Sequence, residues 1–245
     1  MIYVGCCGWS AARARYFRAL DAVEVQQTFY EPPRPATLAR WREEAPEGFG
    51  FAIKCFQLVT HEATSPTYRR LRRPLPTPQS VGAFRDTPAV WAAWAETVAA
   101  ARTLGARIVV LQTPASFTPR AAHLRRLAAF VRRARRETDL MLVFEPRGPA
   151  WNAASTDRLC RRLGLLRGGD PFAMAPPSPH VQPLAYFRLH GRGGYRYTFT
   201  DGDLAEILAQ ARRYETAWVL FNNQSMWDDA RRFARLRLEG GKRRL

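Results

Sequence analysis

The sequence predicts an α/β protein of the (β/α)8, TIM-type barrel class, irregular around the sixth helix. Three observations carry that expectation. Eight short apolar runs fall at 2–7, 22–28, 50–56, 107–113, 140–146, 165–170, 185–191 and 217–223, the pattern of buried strands. Helical patterns at 11–20, 35–44, 89–104, 119–136, 156–163, 201–213 and 226–237 separate most of them, and alternation of this kind builds a parallel sheet. The chain has 245 residues, close to the ~250 usual for an eightfold barrel. An open doubly wound sheet is the competing arrangement, but Gly5-Cys6-Cys7-Gly8-Trp9 has the wrong spacing for a dinucleotide fingerprint. One domain over 1–245 is therefore expected, without an internal repeat.

Run 2–7 lacks the basic segment, apolar stretch and cleavage site of a signal peptide, so it reads as a first strand and implies a cytoplasmic address. In run 22–28 a period of two puts Glu24, Gln26 and Thr28 on one face. Run 50–56 carries Lys54 and leads into 57–87, too long for a simple connection. That segment holds His61 and Tyr68-Arg69-Arg70-Leu71-Arg72-Arg73-Pro74 and is expected to lie over the C-terminal face as a lid that closes on an anion. Thr118 before Pro119 marks a helix start. In that helix Leu124, Leu127, Ala128 and Val131 form a stripe largely apart from Arg125, Arg126, Arg132, Arg133 and Arg136, as an outer-layer helix requires. Pro171, Pro176, Pro177, Pro179 and Pro183 exclude a regular sixth helix. Thr200 with Asp203, and Ser225 with Asp228, resemble shortened capping boxes. Residues 239–245 read as a loose basic tail.

With 47% apolar residues the chain can bury a substantial core, and no apolar run approaches the ~18 residues of a membrane span. Cys6, Cys7, Cys55 and Cys160 lack the paired spacing of zinc sites and read as buried reduced thiols; an iron–sulfur site on the first three is a minor alternative. The net charge of +17 suits a phosphate-rich partner, while an arginine-biased composition explains it without one. Of 38 basic residues only Lys54 and Lys242 are lysines, so a lysine inside an apolar strand suggests that a compact, titratable amine is required there.

Nearly every run turns polar at its C-terminal end, the end where barrel enzymes place catalysis. Glu145 follows five apolar residues and is the first candidate for base or nucleophile, since desolvation would raise its pKa; an ion pair with Arg147 or Arg188 is the plainer reading. His190 can shuttle a proton and shares a face with Tyr186 and Arg188. Lys54 is the third catalytic candidate, as anion holder or Schiff-base amine. Glu24, His61, Gln112, Arg147, Asp170, Arg188 and Asn222 are expected to bind substrate. Glu145, Asp170 and His190 have the donors of a divalent-cation site, which the neighbouring Lys54 and Arg188 oppose, so no metal ligand and no cofactor is assigned. Trp9, Tyr30 and Trp151 are candidates for stacking or for packing.

The chain resembles the YecE-like family, also called domain of unknown function 72. The motifs are Gly5-Cys6-Cys7-Gly8-Trp9, Val23-Glu24-Val25 through Thr28-Phe29-Tyr30, Phe51-Ala52-Ile53-Lys54 with Thr60-His61, and Gln112-Thr113-Pro114. They continue with Phe144-Glu145-Pro146-Arg147 and Trp151, Phe187-Arg188-Leu189-His190-Gly191, and Phe221-Asn222-Asn223. The resemblance implies a β/α barrel with a pocket at the strand ends and brings no settled reaction. Gln26 stands where the family usually has Asn, and Pro146 and Gly148 alter its usual Glu-Phe-Arg-His stretch.

Three functions fit these residues. The first is an enzyme, a hydrolase or lyase, acting on an anionic, phosphorylated substrate by Glu and His acid–base chemistry. The second is a nucleic-acid-binding or processing protein that grips the backbone with its arginines. The third is a non-catalytic small-molecule-binding barrel. The expected partners are thus an anionic small molecule or nucleic acid, and not a membrane.

Overall fold

The computed structural model describes residues 1–242. Its eight strands are β1 (Ile2–Cys7), β2 (Ala22–Val25), β3 (Gly50–Lys54), β4 (Ile108–Gln112), β5 (Met141–Glu145), β6 (Leu166–Gly169), β7 (Leu184–Leu189) and β8 (Thr216–Phe221). They neighbour one another in chain order and β8 returns to β1 in parallel, closing a barrel. The helices are α1 (Arg13–Ala19), α2 (Gln27–Tyr30), α3 (Pro35–Glu44), α4 (Gln57–Thr60), α5 (Pro88–Leu104), α6 (Ala121–Glu137), α7 (Ala153–Leu163), α8 (Asp201–Ala211) and α9 (Met226–Lys242). None is long and apolar enough to cross a membrane among the described residues.

Two compact units make up the chain: residues 1–24, 44–50 and 167 onward, and residues 25–43 with 51–166. In the first, Tyr16 is fully buried. Its hydroxyl accepts the Cys6 N–H (2.7 Å) and donates to the Ala22 carbonyl (2.9 Å), tying α1 to β1 and β2. Trp218 of β8 stacks between Tyr3 and Tyr186. In the second unit, Phe130 of α6 is the hub of an aromatic core, meeting Phe84, Trp91 and Trp94 at 5.1–5.2 Å between ring centroids. All four cysteines are buried and reduced, and burial pushes the thiols of Cys6 and Cys55 up to about 12.

Several elements differ from expectation. The second strand stops at Val25, because Gln26 is helical (φ −83°, ψ −23°) and opens α2. The Thr28 hydroxyl lies 2.9 Å from the Val25 carbonyl and 2.7 Å from that of Lys54, a local bond that competes with the strand ladder. Glu24, Gln26 and Thr28 therefore do not share a strand face. Helix α6 starts at Ala121, not at Pro119, and its N-cap Arg120 makes no side-chain cap. Thr200 and Asp203 do form a full capping box, whereas the Ser225 hydroxyl sits 3.1 Å from that of Thr198. No helix follows β6, as its prolines require. Helix α9 carries residues 239–242 of the expected loose tail; 243–245 lie outside the described residues.

The segment 57–87 is anchored at both ends. Gly82, Ala83 and Phe84 all have positive φ, at 77°, 49° and 53°. Their N–H groups donate to the Leu58, Thr60 and Val59 carbonyls at 2.7, 3.3 and 2.9 Å, supplying the donors that the end of α4 lacks within the helix. A Cβ on Gly82 would lie 2.1 Å from the His61 oxygen. Arg73 pairs with Glu31 and Glu96, and Arg70 lies 3.6 Å over the Tyr30 ring. These bonds hold the arginine run against the α2–α3 connection and α5, so it is not a free lid. Replacing Phe130 by Ala is expected to lower stability by about 3–5 kcal/mol, measured by denaturant unfolding; a loss under ~1 kcal/mol would contradict its place as the core's hub.

Candidate functional site

The strand ends of the first unit hold two polar clusters. In the inner one, Glu24 on β2 and Arg188 on β7 are both 0% exposed. Arg188 donates to both carboxylate oxygens, Nε to Oε2 and Nη2 to Oε1, each at 2.8 Å. The Tyr186 hydroxyl donates to Oε2 at 2.8 Å. Tyr186 and Arg188 are two residues apart on β7, so the strand's period of two brings both to one carboxylate. Burial, and then the Glu24 charge, hold the Tyr186 phenol well above its ordinary value. The Arg188 charge, a candidate from the sequence for holding a substrate anion, is compensated inside the protein by Glu24. Both residues then act as a support, since a fork-to-fork pair fixes orientation.

The outer cluster centres on His190, one residue past β7. Asp170 follows β6 and is buried. Its Oδ2 accepts the backbone N–H groups of His190 (2.7 Å) and Gly191 (3.1 Å), and its Oδ1 that of Phe172 (2.9 Å). Asp170 thus shapes the turn by which the chain leaves β7. Gly191 is needed there: its φ is +85° and a Cβ would meet Tyr197 at 2.4 Å. The His190 side chain is 19% exposed, with Nδ1 3.8 Å from Asp170 Oδ2. Its Nε2 lies 2.9 Å from the Asn222 amide nitrogen. When that amide donates, Nε2 is the acceptor and the ring proton is on Nδ1, beside the carboxylate.

In the second unit Lys54, 6% exposed, ends β3 with Nζ 3.5 Å over the face of Phe29, a cation–π contact. Phe29 meets His61 edge-on at 4.8 Å, and His61 Nδ1 lies 2.7 Å from the Thr60 hydroxyl. Burial first, and then the Lys54 charge, lower the His61 pKa to about 3, so its imidazole is neutral near pH 7. Glu145, 3% exposed, ends β5 opposite Gln112 of β4, with Arg147 Nη2 2.6 Å from its Oε1. The desolvated carboxylate expected from five preceding apolar residues thus has a counter-charge. Trp151 is a packing residue: it is buried against Phe117 and Phe144, and its Nε1 donates to the Phe117 carbonyl at 2.9 Å. Among the described residues no three His, Cys, Asp or Glu side chains gather to hold a metal ion.

Alternation along the strand places Tyr186 on one face with Arg188 but does not disclose the carboxylate they share, and sequence reasoning passes over Phe29 as the partner of Lys54. Nothing in the sequence marks Phe29, because its role depends on how the short helix α2 turns it beneath Lys54.

Eight parallel strands with buried, mutually bonded polar groups at their C-terminal ends define a TIM-type barrel with a polar rim. The chain belongs to the family described as Protein of unknown function DUF72, whose model matches residues 3–242. It is 32% identical over 72 residues to the UPF0759 protein YecE of Escherichia coli (strain K12), a stretch covering 26% of this chain and 26% of that protein. Among solved structures it is similar to a DUF72 family protein from Enterococcus faecalis V583, at TM-score 0.70 and 19% identity over 99% of this chain and 98% of that one. The barrel is also shared with an L-ribulose 3-epimerase (TM-score 0.62, 16% identity, 100% and 97% covered). Endonuclease IV from Thermus thermophilus has it as well (TM-score 0.57, 13% identity, 98% of each chain).

His61 provides a direct check on this electrostatic picture. Its carbon-bound ring protons should hold a constant chemical shift from pH 8 to about 4. Because its folded pKa is below the unfolded one, only the unfolded chain takes up this proton between pH 6.5 and about 3; its contribution to stability therefore falls as the pH drops through that window. A titration near pH 6.5 in the folded protein would contradict the arrangement.

Proposed function

We propose that the protein is an enzyme that transfers a proton through His190 in hydrolysis or lysis of an anionic, phosphorylated substrate. The observation that carries the reading is the order Asp170–His190–Asn222 at the ends of β6, β7 and β8. A partly exposed imidazole has its backbone fixed by a buried carboxylate and one ring nitrogen set by an amide. The orientation and tautomer of the ring are defined before substrate arrives; when substrate displaces the Asn222 amide, Nε2 presents its lone pair to take the proton while Nδ1 keeps its own. Once protonated, the ring would have Asp170 on its Nδ1 side as counter-charge. The chain's charge of +17 favours an anionic substrate by long-range attraction.

Glu145 is a second acid–base candidate, steadied by Arg147, and Lys54 offers a fixed positive charge at the end of β3. Processing of nucleic acid is the second reading. It is favoured by a groove of about 1040 Å³ beside Tyr30, lined by Arg34, Arg69, Arg70 and Arg72, and by the fold's use in an endonuclease.

A screen of phosphate esters, sugar phosphates and oligonucleotides tests the proposal. Turnover found with the natural protein should fall by about 10²–10⁴ in His190→Ala, with the circular dichroism spectrum unchanged. Undiminished turnover in a folded His190→Ala protein would remove His190 from the chemistry, and Glu145→Gln in the same screen decides the role of Glu145.

A further inference from the structure

Helices α6 and α7 leave a groove between them on the outer wall of the second unit. Two adjoining stretches of it, of about 600 and 470 Å³, share Leu124 and Arg162. The floor is apolar, with Leu124, Ala128 and Val131 from α6 and Leu159 and Leu163 from α7. The banks are arginines: Arg125, Arg132 and Arg135 on α6, and Arg158, Arg161 and Arg162 on α7. All six are exposed, and no acidic residue lines either stretch.

Several arginines elsewhere on the surface are answered by carboxylates. Arg73 bonds Glu31 and Glu96, Arg85 bonds Glu62, Arg192 bonds Asp203 and Glu206, and Arg237 bonds Asp21. Among the described residues, none of the six groove arginines forms an ion pair. Arg135 alone has another protein partner there, the Gly164 carbonyl at the end of α7. A surface that leaves six like charges unanswered around an apolar strip is complementary to a ligand with the opposite charges around an apolar ridge.

We propose that the α6–α7 groove binds an acidic amphipathic helix of a partner protein. The span from Leu124 to Arg135 on α6 is about 16 Å at ~1.5 Å per residue, the length of three helical turns. A helix of that length presents apolar side chains at i, i+4 and i+7 to the floor, while Asp or Glu on its two flanks reach the two arginine banks. The floor distinguishes this occupant from nucleic acid, whose phosphodiester backbone makes no use of an apolar strip and binds through charge alone. A second copy of the chain is disfavoured, because two chains of +17 repel each other at long range. The groove lies on outer helices and makes no use of the residues at the strand ends, so this surface stands whatever the barrel's reaction is.

Fluorescence anisotropy with two labelled peptides tests the proposal on the full chain. The first peptide is a three-turn helix with leucines on one stripe and glutamates on both flanks; the second has the same charges with the leucines changed to serine. The first should bind, weaken by at least about tenfold with the Arg132→Glu/Arg161→Glu protein, and keep measurable affinity at about 0.5 M salt, where exposed charges are screened. The serine peptide should bind at least about tenfold more weakly. Equal binding of the two peptides, no binding of the leucine peptide, or its displacement by a single-stranded oligonucleotide or by phosphatidylserine vesicles would each overturn the proposal. The peptide comparison uses the unaltered protein, so it stands even if the double variant misfolds.

Discussion

The polar end of this barrel depends on one buried ion pair, Glu24 with Arg188. Taking a carboxylate and a guanidinium out of water is costly, and the loss is offset only when geometry is good and the remaining groups are satisfied. Both conditions are visible here: two 2.8 Å bonds join the pair and the Tyr186 hydroxyl adds a third to the same carboxylate. Three side chains from β2 and β7 are thereby fixed inside the first unit. Just past the end of β7 stands His190, whose position inherits that rigidity. A second fixed point, the Asp170 carboxylate on two successive N–H groups, sets the turn through which His190 leaves the strand.

The second unit solves the same problem by other means. Lys54 is not left bare in its apolar strand: its amine faces the ring of Phe29, and its positive charge adds to the burial that keeps the neighbouring His61 neutral. The turn Gly82–Phe84 returns from the long segment to close α4, and so fixes the chain that carries His61. Positive φ at two non-glycine residues in a row is costly. The buried Phe84 side chain, packed on Phe117 and Phe130, is the compensation.

Strand number, order and the missing sixth helix were legible in the sequence because each rests on local chemistry: apolar runs, proline, and capping residues. The Thr200–Asp203 box is one such signal, and the structure has it in full. The sequence pattern carries the second strand past Val25, where the structure ends it, for a physical reason. Glu24, Gln26 and Thr28 alternate as a strand would, but the Thr28 hydroxyl bonds a carbonyl three residues back and turns the chain into α2. Alternation reports burial, not hydrogen bonding, and cannot distinguish the two. Site residues were legible as types and only partly as roles. That Arg188 and Glu24 were important followed from charges in apolar strands; that they answer each other depends on a contact between residues 164 apart. The groove between α6 and α7 was half legible, since the apolar stripe and the arginines of α6 are periodic, whereas the matching bank on α7 needs the packing of the two helices.

The dependence on the buried pair is open to a double-mutant cycle by equilibrium unfolding, with Glu24→Leu, Arg188→Met and both together. Each single change leaves an uncompensated charge in the interior and should cost about 3–5 kcal/mol. The double variant leaves no charge unpaired and should cost no more than either single change, a coupling of about 3 kcal/mol or more. Single variants that lose under ~1 kcal/mol, or losses that simply add, would contradict the pair's central place in the structure.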